Sequence, residues 1–271
     1  IGVGGYMILT HFQAPHGDVV SISNVWSHGG LFPKGVSGFL AGFQIAVFAF
    51  IGVELIGTTA AETKDPQTNL PKAINAIPVR IILFYVLALF VVMSVTPWNH
   101  IRADKSPFVE LFLNAGIPIS AIIMNLVVLS SVMSSMNSGV FSTSRMLFGL
   151  SKDGQAPSVL GRLSKRAVPS NGLIFSCIFI MGGAVLQYFV PNTMEAFTLA
   201  SSLCVILFIS VWILIMACYL RYRKIRPELH AASTFKMPGG VLMAYAVIAF
   251  FLFTLVILAL EPDTLKALYV S

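Results

Sequence analysis

GFLAGFQIAVFAFIGVELIGTT, residues 38–59, is an apolar run that carries one carboxylate, Glu54, and is interrupted by Gly52 and Gly57. About 20 apolar residues suffice to cross a bilayer as a helix. An ionisable group inside such a run is expensive in hydrocarbon, so Glu54 must face protein or water and is a candidate for a task. Glycines beside that charge weaken the helix where backbone polar groups could be released, and in membrane proteins such breaks line binding cavities. A break before Gly52 would leave the carbonyls of Phe48, Ala49, Phe50 and Ile51 without intrahelical partners, acceptors suited to an ammonium group. The plainer reading is an ordinary helix with an incidental glycine.

Working outward, the 271 residues are 56% hydrophobic and only 10% charged, with a mean hydropathy of +0.85. Soluble domains carry about 25% charged residues, so the chain is expected to be all-α and transmembrane. Six spans are predicted, at 39–58, 77–96, 117–138, 173–190, 197–220 and 241–260, with 1–9 as the last turns of another. The first residue is Ile, and no basic segment or cleavage site precedes the apolar run, so 1–9 does not read as a signal peptide. The chain is expected to be a fragment. The loops are short, so one integral membrane domain over 1–271 is expected, with no separate soluble domain.

The net charge of +6 would permit a nucleic-acid partner, but its distribution argues against one. Lys64, Lys72 and Arg80 follow the first full span. Arg145, Lys152, Arg162, Lys165 and Arg166 follow the third, and Arg221, Arg223, Lys224, Arg226 and Lys236 the fifth. These are 13 of the 17 basic residues; the alternate loops hold only Lys34, Arg102, Lys105 and Lys266. That alternation places the basic loops in the cytoplasm. RYRKIR at 221–226 reads as a span-end anchor beside anionic headgroups.

Cys177, Cys204 and Cys218 lie inside apolar spans and read as small hydrophobes. His11, His16 and His28 are spread through an outer loop at 11–37 and read as solvated or loop-packing residues, not as a metal set. The inner loop 149–171 has turn residues at Asp153 and Gly154, with prolines at 157 and 169. A short amphipathic stretch between those prolines would lie on the membrane surface. Pro78, Pro97, Pro118 and Pro191 are expected near span edges, where a missing N–H costs least.

Nothing in the chain signals catalysis. GxSxG, HExxH, P-loop and CxxC motifs are absent, and His100 and Asp104, four apart, sit in the outer loop NHIRADK. No cofactor or metal is expected. Polar residues within spans are the better signal. In the first span these are Gln44, Glu54, Thr58 and Thr59. Glu54 is either a structural carboxylate bonded to a neighbouring helix or part of a gate or proton route. The third span ends in a run dense in Ser, Asn and Gly, including Met136 and Asn137. Small residues permit close helix packing and hydroxyls bond across the contact. Ser201 and Ser202 in the fifth span carry the same two readings, packing or pocket.

At this point the residues match a known family. FAFIGVELIGTTAAETKDPQTNLPKAI (48–74) and SMNSGVFSTSRMLFGLSKDGQAPSVLGRLSKRAVP (135–169) resemble the sixth and eighth helices, with their inner loops, of amino-acid permeases in the amino acid–polyamine–organocation superfamily. The resemblance covers essentially the whole chain. GTTAAETKDP, SVTPW and KSPFVELF are most similar to its bacterial members for small neutral amino acids such as D-alanine, D-serine and glycine.

The resemblance implies a bundle of inverted repeats with twelve helices, the first and sixth broken at mid-membrane. This chain would run from the end of the fifth helix to the eleventh, with 39–220 as the second repeat. It also implies proton symport across the bacterial cytoplasmic membrane, with an amino acid and protons as partners beside the lipid bilayer. The α-ammonium would meet carbonyls that map to Phe48, Ala49 and Ile51. Phe48 would close over the substrate, Gly52 would mark the break and Glu54 would match a gating carboxylate. Met136, Ser201 and Ser202 would be candidate pocket residues. A related permease for GABA, proline or an aromatic amino acid, or a transporter-like nutrient receptor, are the competing readings.

Overall fold

The structure, a computed structural model, describes residues 1–13, 19–102, 105–117, 119–189 and 193–260. His16, Asp104, Pro118, Pro191 and Lys266 lie outside the described residues. Eleven α-helices are described: α1 (Gly2–Leu9), α2 (Gly35–Phe50), α3 (Leu55–Thr58), α4 (Pro66–Ile81), α5 (Leu87–Val95), α6 (Pro107–Asn114), α7 (Ser120–Lys152), α8 (Ser170–Phe189), α9 (Thr193–Ile225), α10 (Pro227–Ala232) and α11 (Gly240–Leu260). Among the described residues the only β pairing is an isolated bridge between Gln13 and Val19.

Among the described residues, five stretches are long and apolar enough to cross a membrane: Gly35–Thr58, Pro66–Val95, Ala121–Lys152, Ala196–Ile225 and Gly240–Leu260. The expected span at 173–190 appears as α8, whose apolar part, Ser170–Val185, is shorter. Two boundaries differ from expectation. The second span begins at Pro66 rather than 77, because PQTNLPKAI, residues 66–74, is already helical. The third runs to Lys152 rather than 138, because its serines bond back to the helix. Ser138 Oγ donates to the Ser134 carbonyl at 3.0 Å, and Ser144 Oγ to the Phe141 carbonyl at 2.9 Å. A hydroxyl satisfied in this way does not end a helix.

Pro78 is inside α4, not at a span edge. It cannot donate to a preceding carbonyl, and four residues later the helix widens into a π-helical segment, Ile82–Val86, before continuing as α5. Within the loop 149–171 the chain forms one 3-10 turn, Ser158–Gly161, packed on α7. Ser151 Oγ donates to the Pro157 carbonyl at 2.8 Å, and Asn171 Nδ2 to the Val159 carbonyl at 2.7 Å.

The chain divides into two compact units, residues 1–34 with 72–176, and 35–71 with 177–271. In the first, Met7, Val20, Val91, Val92, Val95 and Leu111 form an apolar cluster that joins α1, α5 and α6. The loop between α1 and α2 is tied to the end of α5 by Asn24, whose Nδ2 donates to the Val19 and Ser94 carbonyls, both at 3.0 Å. Trp98 Nε1 donates to the His28 carbonyl at 2.9 Å. In the second unit, Val47, Val205, Ile206, Ile209 and Leu258 form the cluster that joins α2, α9 and α11.

Candidate functional site

Helix α2 stops at Phe50. The Ile51 N–H donates to the Phe48 carbonyl at 3.1 Å and the Val53 N–H to the Phe50 carbonyl at 3.3 Å. Such bonds, reaching back three residues, tighten a terminal turn and use up otherwise orphaned carbonyls. Gly52 then takes φ +107°, a backbone conformation strained for any residue with a side chain. No atom lies within 4 Å of where its Cβ would stand, so the need for glycine here is conformational. Helix resumes at Leu55, whose N–H donates to the Gly52 carbonyl at 3.2 Å, and the Gly57 N–H reaches the Glu54 carbonyl at 2.9 Å.

The Gly52 N–H has left the helical ladder and is held by Glu54, at 3.0 Å to Oε1 and 3.1 Å to Oε2. A carboxylate accepting from a backbone amide makes a charge-assisted bond, stronger than a neutral one. Among the described residues Glu54 therefore bonds within its own turn, where one reading of the sequence expected a neighbouring helix. Its half-burial at the break suits a group that holds the break in shape.

The set of freed carbonyls is smaller than expected. Phe48 and Phe50 lose theirs to the tightened turn. The Ile51 carbonyl receives no hydrogen bond from any described group and remains an open acceptor. Ala49 sits half-buried in the last turn of α2. The Phe48 ring lies edge-on to Phe197 of α9, with centroids 5.9 Å apart at 85°, and both Phe48 and Ile51 pack on the α2–α9–α11 cluster.

Ser201 and Ser202 are sealed in the same unit, 2% and 0% exposed. Each donates to the Thr198 carbonyl, at 3.1 and 2.7 Å, and each accepts from Gln44 Nε2, at 2.9 and 3.3 Å. Sequence reading marked Gln44 only as polar; nothing in its neighbourhood announced partners so distant in the chain. Met136 is an exposed residue of α7 in the other unit. Among the described residues no group of three or more His, Cys, Asp or Glu could hold a metal.

The arrangement is a broken transmembrane helix with an open carbonyl, an amide held by a carboxylate and an aromatic ring beside the break. Known proteins resemble the chain along essentially its whole length. A family model described as amino acid permease matches residues 1–267. The chain is 58% identical over its full length to the D-serine/D-alanine/glycine transporter of Escherichia coli strain K12. It is 49% identical over its full length to the amino-acid permease AapA of Bacillus subtilis strain 168. Over 94% of its length it is 40% identical to a probable threonine/serine transporter, YbxG, of the same strain. The chain spans 58% of the length of the E. coli relative and of AapA, and 55% of YbxG. Its helices form a multi-pass assembly of the cytoplasmic membrane, and its relatives are transporters rather than enzymes. By the match along 267 of its 271 residues, the chain belongs to the amino acid permease family.

Proposed function

We propose that this chain contributes the ammonium-binding half of a proton-coupled importer of small neutral amino acids such as D-alanine, D-serine and glycine. The observation that carries the reading is the break itself. A glycine at φ +107° follows the end of α2, and the Ile51 carbonyl is left open beside a half-buried aromatic ring. The α-ammonium would bind the Ile51 carbonyl, with Ala49 beside it. The Phe48 ring would shield it from water, and Glu54 would gate or relay the proton. Ser201 and Ser202, bonded to Gln44, would support the site from behind. Residues 39–220 would form one repeat of an inverted pair, and transport would proceed by alternating access about a midplane site.

The test is Phe48→Ala in the intact protein, with labelled D-alanine uptake and membrane abundance measured together. Uptake should fall about tenfold or more, the order of one or two lost contacts, with abundance unchanged. Undiminished uptake of every amino acid tried would sink the shielding role. The 40% identity to a probable threonine/serine transporter supports a second substrate reading. Competition of D-alanine uptake by a panel of amino acids separates the two: block by D-serine and glycine supports the first, block by L-threonine alone the second.

A further inference from the structure

Ser201 and Ser202 have both directed their protons to the Thr198 carbonyl. Their oxygens can then only accept, and Gln44 supplies the donor, its Nε2 reaching both. A primary amide has two N–H groups, one for each serine. All three side chains are removed from solvent, Gln44 at 6% exposure, so water cannot replace these bonds and the geometry admits few alternatives.

The apolar packing of α2 on α9 does not by itself select one rotation of α2 about its axis. The surrounding cluster of Val47, Val205, Ile206 and Ile209 consists of smooth branched side chains. The amide and its two hydroxyls are directional. One helical turn along α2 from Gln44 comes Phe48, and one turn before Ser201 on α9 comes Phe197, the ring that Phe48 meets edge-on. The two helices are thus joined at two levels, a polar one and an aromatic one, each four residues from the other. The polar level cannot rotate without carrying the aromatic level with it.

We propose that Gln44, Ser201 and Ser202 form a clamp that sets the rotation of α2, and through it the direction of the Phe48 ring and the Ile51 carbonyl at the break. The serines are then positioning residues, acting through Gln44, and not substrate contacts. This rests on the reading of the break as the substrate site.

Two measurements on the intact protein test it. The first needs no substrate: the rate at which a membrane-impermeant thiol reagent labels Phe48→Cys, in a background with Cys177, Cys204 and Cys218 replaced by Ala. Gln44→Leu and the Ser201→Ala/Ser202→Ala pair should each change that rate about tenfold, the order for one or two buried hydrogen bonds. All three changes together should do no more than either, because they remove one interaction. Unchanged rates, or a combined effect equal to the product of the separate ones, overturn the clamp.

The second is D-alanine uptake. KM should rise about tenfold with the maximal rate within about twofold, and Ser201→Thr, which keeps the hydroxyl, should stay near the native value. A Ser201→Ala effect on KM that persists undiminished in the Gln44→Leu background means that the serine touches substrate, which also overturns the proposal. If labelling behaves as expected and D-alanine is not transported, the substrate-site reading fails and the clamp stands. Should Gln44→Leu not accumulate in the membrane, Gln44→Asn, which withdraws the amide by one carbon, takes its place.

Discussion

Two apolar spans of this chain are interrupted, and they respond differently. At Gly52 the helix ends, the backbone enters a positive-φ conformation and a new helix starts three residues later. At Pro78 the helix loses one donor and continues, widening at Ile82–Val86 and then resuming as α5. Proline takes away a hydrogen bond; only the glycine supplies a direction in which the chain can leave the helix. The second difference is Glu54. The amide released at Gly52 has a charged acceptor two residues away, whereas proline has no amide to release. A membrane helix can be opened stably where a left-handed residue and a local acceptor occur together, and a missing donor alone is absorbed.

The comparison breaks most directly at Gly52. Gly52→Ala has room for its methyl group, so its cost is that of the backbone, about 1–3 kcal/mol, and uptake of D-alanine should drop about tenfold or more. Undiminished uptake would mean that the observed conformation is not the one transport needs. Next comes Glu54→Leu, which leaves the Gly52 amide without its acceptor. A hydrogen bond to a charged group contributes about 1.5–3 kcal/mol, and the loss should appear as faster amide exchange at Gly52. Glu54→Gln retains one acceptor oxygen and should fall between native and Leu; if Gln and Leu behave alike, it is the charge that acts. The smallest effect belongs to Pro78→Ala. It restores a donor facing the Ile74 carbonyl, and it should leave uptake within about twofold and move the thermal midpoint by a few degrees at most. If it harms uptake as much as Gly52→Ala, the contrast between the two interruptions is lost.

The break was legible in the sequence because its ingredients are adjacent: an apolar run, a glycine and a carboxylate within three residues. The membrane character was legible for a similar reason, since hydropathy accumulates along the chain. Three things were not. The true start of the second span was hidden by polar residues, and the end of the third by serines, which a helix tolerates when their hydroxyls bond to its own carbonyls. The place of Pro78 depended on how far the helix extended before it. The partners of Gln44 lie 157 and 158 residues away, and no local pattern encodes a pairing at that distance. Within the break the sequence overstated the free carbonyls, because a terminal turn tightens and consumes them.

The tie between Asn24 and the Ser94 carbonyl bears on biogenesis. The amide of Asn24 must wait for a residue made 70 positions later, and Trp98 reaches back the same distance to His28. At about 5–20 residues per second, the loop between α1 and α2 exists for roughly 4–14 seconds before its anchors have been synthesised. During that interval α2 and α4 leave the ribosome. The loop is therefore closed last by its own downstream neighbour, like a seam sewn after the panels are set. Agents that act on nascent segments, such as proteases and folding factors, meet it open on each chain before Ser94 and Trp98 arrive.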